Sequence, residues 1–227
     1  MRIAEIFYSV QGEGSLVGVP SIFVRTSGCN LRCSWCDTPY TSWNPEGEEL
    51  SVGEIVDRAV ALDGLNASGH VVITGGEPMI APGIVELSER FRERGMHITV
   101  ETAGTVFTPV ACDLMSISPK LANSTPEGVF RARHERLRQQ PDVLAKLIAG
   151  YDYQLKFVIA REGDMDEVCA VVSRLGAPAG NVILMPEGIS ADVLRERGVW
   201  LAEICKRYGF RFSPRLHVDL YGNRRGV

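Results

Sequence analysis

Six short runs rich in apolar and β-branched residues recur along this chain, and they constrain its fold more than any other feature. They are SIFVRT (21–26), HVVIT (70–74), HITVET (97–102), DLMSIS (113–118), YQLKFVIA (153–160) and NVILM (181–185). Several are nearly continuous in apolar character, which is how parallel strands buried on both faces read. Helical segments with visible start and stop signals lie between them. Ser51 and Glu54 form a capping box ahead of Val52, Ile55, Val56 and Ala59, which share one helical face. Pro82 is expected to open a second helix, lined by Ile84, Leu87, Ser88 and Phe91 and closed by Gly95. Asp164 with Glu167 starts a third, presenting Val168, Val171, Val172 and Leu175. Ser190 starts a long one carrying Leu194, Leu201, Ile204 and Tyr208.

Repeated β-then-α units predict a parallel α/β sheet with right-handed crossovers. Six strands fall short of the eight that a closed barrel needs, so an incomplete barrel and an open doubly wound sheet both fit. Either geometry puts ligands at the carboxyl ends of the strands. No repeat or low-complexity linker divides the chain, and a single domain over 1–227 is expected, with a polar, partly helical insertion at 123–150.

Charge and hydropathy narrow the function classes. The net charge is −4, without the basic face that phosphate-backbone binding usually needs. The densest basic run, RARHERLRQQ (131–140), includes Glu135 and reads as a solvated helix face. Nucleic acid is not indicated. No apolar run approaches the roughly 18 residues that span a bilayer, so no membrane partner is expected. MRIAEIFYSVQGEG at the N-terminus lacks the apolar core of a signal peptide, and a cytoplasmic location is expected.

Three of the six cysteines, Cys29, Cys33 and Cys36, crowd into GCNLRCSWCDTPYTSW (28–43). Cys112, Cys169 and Cys205 stand apart among apolar neighbours, as small buried hydrophobes do. Structural zinc normally takes four ligands, so a distant residue must complete such a site. A redox pair of Cys33 and Cys36 leaves Cys29 idle. A cubane iron–sulfur cluster fits better, because three thiolates leave one iron with an open position for chemistry.

Cys-x-x-x-Cys-x-x-Cys with an aromatic before the last cysteine resembles the signature of the radical S-adenosylmethionine (SAM) superfamily. VVITGGEPMI (71–80) resembles its GGEP motif, a strand running into Gly75-Gly76-Glu77-Pro78. The resemblance implies a 4Fe-4S cluster whose open iron chelates SAM and whose electron cleaves it to a 5′-deoxyadenosyl radical. Glycines would let backbone approach the ligand closely.

The likeness extends over most of the chain. IFYSVQGEGSLVGVPSIFVRTSGCNLRCSWCDTPYTSW, SISPKLANSTP and PRLHVDLYGNRRGV resemble segments of the 7-carboxy-7-deazaguanine synthase family. This implies an incomplete (β6/α3) barrel of parallel strands with a cluster-binding loop near the N-terminus. It also implies a carbon–nitrogen lyase that converts 6-carboxy-5,6,7,8-tetrahydropterin to 7-carboxy-7-deazaguanine with loss of ammonia, in queuosine and deazapurine biosynthesis. A homodimer, Mg2+ and an electron donor such as flavodoxin or ferredoxin are further implied.

Carried over by residue, Cys29, Cys33 and Cys36 would hold the cluster and Thr38 the magnesium. Trp35, Cys36, Asp37, Gly76, Glu77, Ser118, Pro119, Lys120, Met185, Pro186 and Glu187 would meet SAM. Val10, Gln11, Gly12, Glu13, Arg25, Thr74 and His217 would meet the pterin, Arg25 through a bidentate pair with its carboxylate. The terminal carboxylate of Val227 is a weaker candidate. A glycyl-radical activating enzyme shares the cysteine loop and GGEP but leaves SVQGEG and the tail unexplained; a non-catalytic zinc or iron–sulfur module is the rival of another class.

Overall fold

The computed structural model describes residues 1–62 and 69–227. Among them, one sheet contains nine strands: β1 (Arg2–Val10), β2 (Pro20–Thr26), β3 (Glu48–Glu49), β4 (His70–Gly75), β5 (His97–Thr102), β6 (Leu114–Ile117), β7 (Tyr153–Ile159), β8 (Val182–Pro186) and β9 (Arg211–Phe212). The helices are α1 (Pro39–Ser42), α2 (Val52–Leu62), α3 (Ile84–Glu93), α4 (Arg131–Arg138), α5 (Pro141–Gly150), α6 (Met165–Leu175), α7 (Ala191–Tyr208) and α8 (Leu216–Tyr221). The strand order is β3-β1-β2-β4-β5-β6-β7-β8-β9. The six expected strands are β2 and β4 to β8, side by side in chain order and all parallel. The end strands β3 and β9 do not pair with each other, so the barrel is incomplete.

Three strands lie outside the six expected: the two-residue β3 and β9 at the ends of the sheet, and β1, which is antiparallel to β2 and β3. Most of its residues are only half-buried, so it lacks the continuous apolar run that marks an interior strand. The capping box before α2 forms as expected: Ser51 Oγ accepts from the Glu54 amide at 3.2 Å, and Glu54 accepts from the Ser51 amide at 2.8 Å. Two helix starts differ. Gly83, at φ +84°, caps α3, which leaves Pro82 outside it. Asp164 precedes α6 without capping it; its carboxylate instead accepts from the Ala160 and Arg161 amides of the turn before.

Strands β2 and β4 to β8 bury both faces, but the two faces are chemically different. Side chains alternate across a strand. One set (Ile22, Val24, Val71, Ile73, Ile98, Val100, Met115, Ile117, Leu155, Phe157) packs with the helices into the main core. The other set (Phe23, Arg25, Thr74, Glu101, Ser116, Lys156, Val158, Met185) lines a cavity inside the partial barrel. Helix α5 buries Leu144 and Leu147 in the main core, so this part of the segment expected as an insertion is the crossover between β6 and β7. Among the described residues, no helix is long and apolar enough to cross a membrane.

Candidate active site

The cavity has a volume of about 470 Å³ and opens at the carboxyl ends of the parallel strands. All three clustered cysteines line it, and all three are free thiols. Leu31, Ala103 and Leu137 pack around them. Burial pushes the Cys29 thiol up to about 11 and the Cys33 thiol up to about 12. Such thiols are inert until a metal displaces their protons. Cys112, Cys169 and Cys205 lie in or against the main core, away from the cavity. Among the described residues, no three His, Cys, Asp or Glu side chains converge on a position for one metal ion. A cubane makes no such demand, since its thiolates bind separate irons, and these residues fit it.

The glycines after β4 have a reason beyond ligand approach. A Cβ on Gly76 would stand 2.2 Å from the Gly28 carbonyl oxygen, and one on Gly75 2.3 Å from that of Thr26. The turn is therefore pressed against the start of the cysteine loop. Two bonds fix it there, from the Gly76 amide to Thr26 (3.2 Å) and from the Glu77 amide to Gly28 (2.9 Å).

Glu77 itself points beneath the turn and does not line the cavity. Its carboxylate accepts from Thr102 Oγ1 (2.7 Å) and from the Ala103 and Met79 amides (2.9 and 3.1 Å). Burial nonetheless pushes its carboxyl above the ordinary carboxylate value. Pro119 and Pro186 also fall outside the lining. Trp35, Cys36, Asp37, Gly76, Ser118, Lys120, Met185 and Glu187 all line it, as does Thr38. Thr38 precedes α1 without capping it, and among the described residues its hydroxyl has only long contacts, 3.5 Å to Thr41 Oγ1 and 3.8 Å to Cys36 Sγ.

The residues expected to meet the pterin (Val10, Gln11, Gly12, Glu13, Arg25, Thr74 and His217) face the same cavity. Gln11 donates to Glu101 at 3.3 Å, and Thr74 Oγ1 donates to the other oxygen of Glu101 at 2.9 Å. Gly12 has no room for a side chain, because a Cβ would lie 2.0 Å from His217 Nδ1. Arg25 donates through Nε to Glu5 at 2.8 Å. Its terminal nitrogens have no hydrogen-bond partner among the described residues, and its guanidinium lies over the Phe7 ring.

The sequence reading missed Glu101, Lys156 and Arg215. Lys156 donates to Glu13 at 2.5 Å and stands 3.7 Å from Glu101. Arg215 donates to Glu13 (3.0 Å), to the Gly188 carbonyl (2.6 Å) and to Asp37. Burial would raise the Glu13 carboxyl, but Lys156, Arg215 and His217 hold it well below its ordinary value. Asp37 is likewise lowered, Arg215 overcoming the effect of burial. Burial pushes His217 down, against the pull of Glu13. A signal for part of this set was present: Gln154 with Lys156, and Thr99 with Glu101, are polar residues two apart inside apolar strands.

A family model described as the radical SAM superfamily matches residues 23–186. A 7-carboxy-7-deazaguanine synthase of Rhodopirellula baltica is 44% identical, over 100% of this chain and 89% of its own length. One of Halobacterium salinarum is 41% identical, over 98% and 91%. A crystal structure of QueE from Escherichia coli superposes with a TM-score of 0.67 at 26% identity, covering 95% of this chain and 94% of that one. The chain belongs to the 7-carboxy-7-deazaguanine synthase family of the radical SAM superfamily.

Proposed function

We propose that this protein converts 6-carboxy-5,6,7,8-tetrahydropterin to 7-carboxy-7-deazaguanine with loss of ammonia. The observation that carries this is one cavity lined both by three free thiols and by a set of charged groups. Cys29, Cys33 and Cys36 would hold the 4Fe-4S cluster, and the turn at Gly76 with Ser118, Lys120 and Met185 would flank SAM. When bound, cluster and SAM would supply one-electron chemistry at this end of the cavity.

The chain's own residues orient the pterin. Glu13, Asp37 and Glu101 set three carboxylates against the two cations Lys156 and Arg215. That acidic excess suits ring N–H donors, which carboxylate oxygens accept. The terminal nitrogens of Arg25 offer the fork that a substrate carboxylate takes in bidentate fashion. Thr38 presents a hard oxygen for Mg2+, an ion that takes few protein ligands and completes its shell with water or substrate oxygens. The protein acts as a cytoplasmic homodimer and draws its electron from a carrier such as flavodoxin or ferredoxin.

The test is anaerobic incubation of the reconstituted protein with SAM, reductant, Mg2+ and the carboxytetrahydropterin, with 7-carboxy-7-deazaguanine as the expected product. A preparation that cleaves SAM but yields no deazapurine overturns the substrate assignment.

A further inference from the structure

The loop from Cys29 to Cys36 has little backbone hydrogen bonding of its own, although the Arg32 guanidinium donates to the Cys29 and Leu31 carbonyls at 2.8 and 2.7 Å. Its internal backbone bond is Cys36 to Cys33 at 3.3 Å, and the Leu31 amide donates to Cys29 Sγ at 3.4 Å. Backbone amides inside a protein must nevertheless find partners. The two amides that flank Cys33 find theirs in the stretch before and within α4. The Arg32 amide donates to His134 Nδ1 at 3.2 Å, and the Ser34 amide donates to the Ser124 carbonyl at 2.9 Å.

His134 is fully buried, and its ring fits one proton arrangement. Nδ1 accepts from Arg32, so the proton of the neutral ring sits on Nε2. From there it points at Ser124 Oγ, 3.0 Å away, and that hydroxyl donates to the Leu121 carbonyl at 2.6 Å. Further contacts extend the same attachment. Trp35 Nε1 donates to the Asn123 carbonyl at 2.9 Å, and Asn123 Nδ2 donates to the Val158 carbonyl at the end of β7 and to Asp164. Leu137, almost one turn beyond His134, packs against Leu31, Cys33 and Ala103. Arg138 closes the far end on the Lys120 carbonyl (3.1 Å) and Glu167 (2.5 Å).

The geometry points to Leu121–Arg138 as a clasp that holds the cysteine loop in its cluster-binding shape, with His134 as the positioning residue. This rests on the cluster reading of the cysteines. It gives the first half of the 123–150 segment a role: a helix whose Arg131, Arg133 and Arg136 look outward carries one buried imidazole that orders Cys33 from behind.

The test uses the full chain, reconstituted anaerobically with iron and sulfide and then challenged with an iron chelator. Cluster loss is followed by visible absorption and by iron and sulfide content. In His134→Gln the amide reaches only toward Ser124, and release is expected to accelerate roughly tenfold, the usual scale for losing a group that orients a metal ligand. His134→Asn keeps an acceptor near the Nδ1 position and should restore much of the wild-type lifetime. In the apo proteins, hydrogen exchange at the Arg32 amide should speed up in the glutamine variant and less in the asparagine one. A glutamine variant that keeps its cluster as long as wild type, or that leaves Arg32 exchange unchanged, overturns the proposal. If the histidine variants fail to fold, Ser124→Ala decides: faster release supports the clasp and unchanged release overturns it. Wild-type protein that takes up no iron and sulfide overturns the cluster reading itself, a result distinct from variants that load and hold normally.

Discussion

The cysteine loop and the charged wall line one cavity but are held together by different means. The loop is apolar at its thiols and is shaped by backbone bonds donated to Ser124, His134 and its own residues. The wall is a run of side-chain ion pairs, with Lys156 and Arg215 each more than nine-tenths buried. Removing a thiol leaves a small apolar gap. Removing one member of the wall leaves a buried charge short of its partner, which is far more costly. The loop should thus be sensitive in function and tolerant in stability, and the wall the reverse as well as functional.

The largest effect tests the loop. Cys33→Ala should abolish iron and sulfide uptake while shifting apo-protein stability by only about 1 kcal/mol, measured by urea unfolding. A large loss of apo stability would break the comparison.

Lys156→Met tests the wall. Stability should fall by about 3 kcal/mol, with cluster loading retained. The pH dependence carries the sign. The Glu13 carboxyl is depressed below its ordinary value of 4.5 in the folded state. Its contribution is therefore present above that ordinary value and is lost as the pH falls toward the folded value. Without Lys156 the folded value rises toward the unfolded one, so the acid-side loss contributed by Glu13 should shrink and stability should fall less steeply with acid than in wild type. Urea midpoints from pH 3 to pH 7, a range chosen around the ordinary carboxylate value of about 4, would show this shallower fall; profiles of equal steepness would refute it.

Gly76→Ala tests the seam between the two strand-end loops. The new methyl has the Gly28 and Thr41 carbonyl oxygens in its way, so a loss of about 2 kcal/mol is expected, with weakened SAM binding by calorimetry. Smallest is Thr38→Ala. It should leave cluster content and stability unchanged and raise the magnesium needed for half-maximal turnover roughly tenfold, equivalent to about 1.4 kcal/mol. Cluster loss in that variant would make the threonine structural.

What could be read from the chain was local. Six strands, the capping box at Ser51, the three-cysteine spacing and the GGEP turn each declare themselves within about ten residues, because backbone periodicity and ligand spacing are short-range properties. The resemblance of VQGEG and of the tail segment to a known family brought Gln11, Glu13 and His217 to notice, and all three face the cavity. Only the tertiary structure decided what Glu13 meets. Lys156 lies 143 residues from it and Arg215 lies 202 away, and neither separation leaves a trace in local pattern. The strand register and the docking of α8 bring them together, where removal from water makes each charge depend on the others. The same is true of His134, which reads as one ring in a basic helix until the fold sets it behind Cys33.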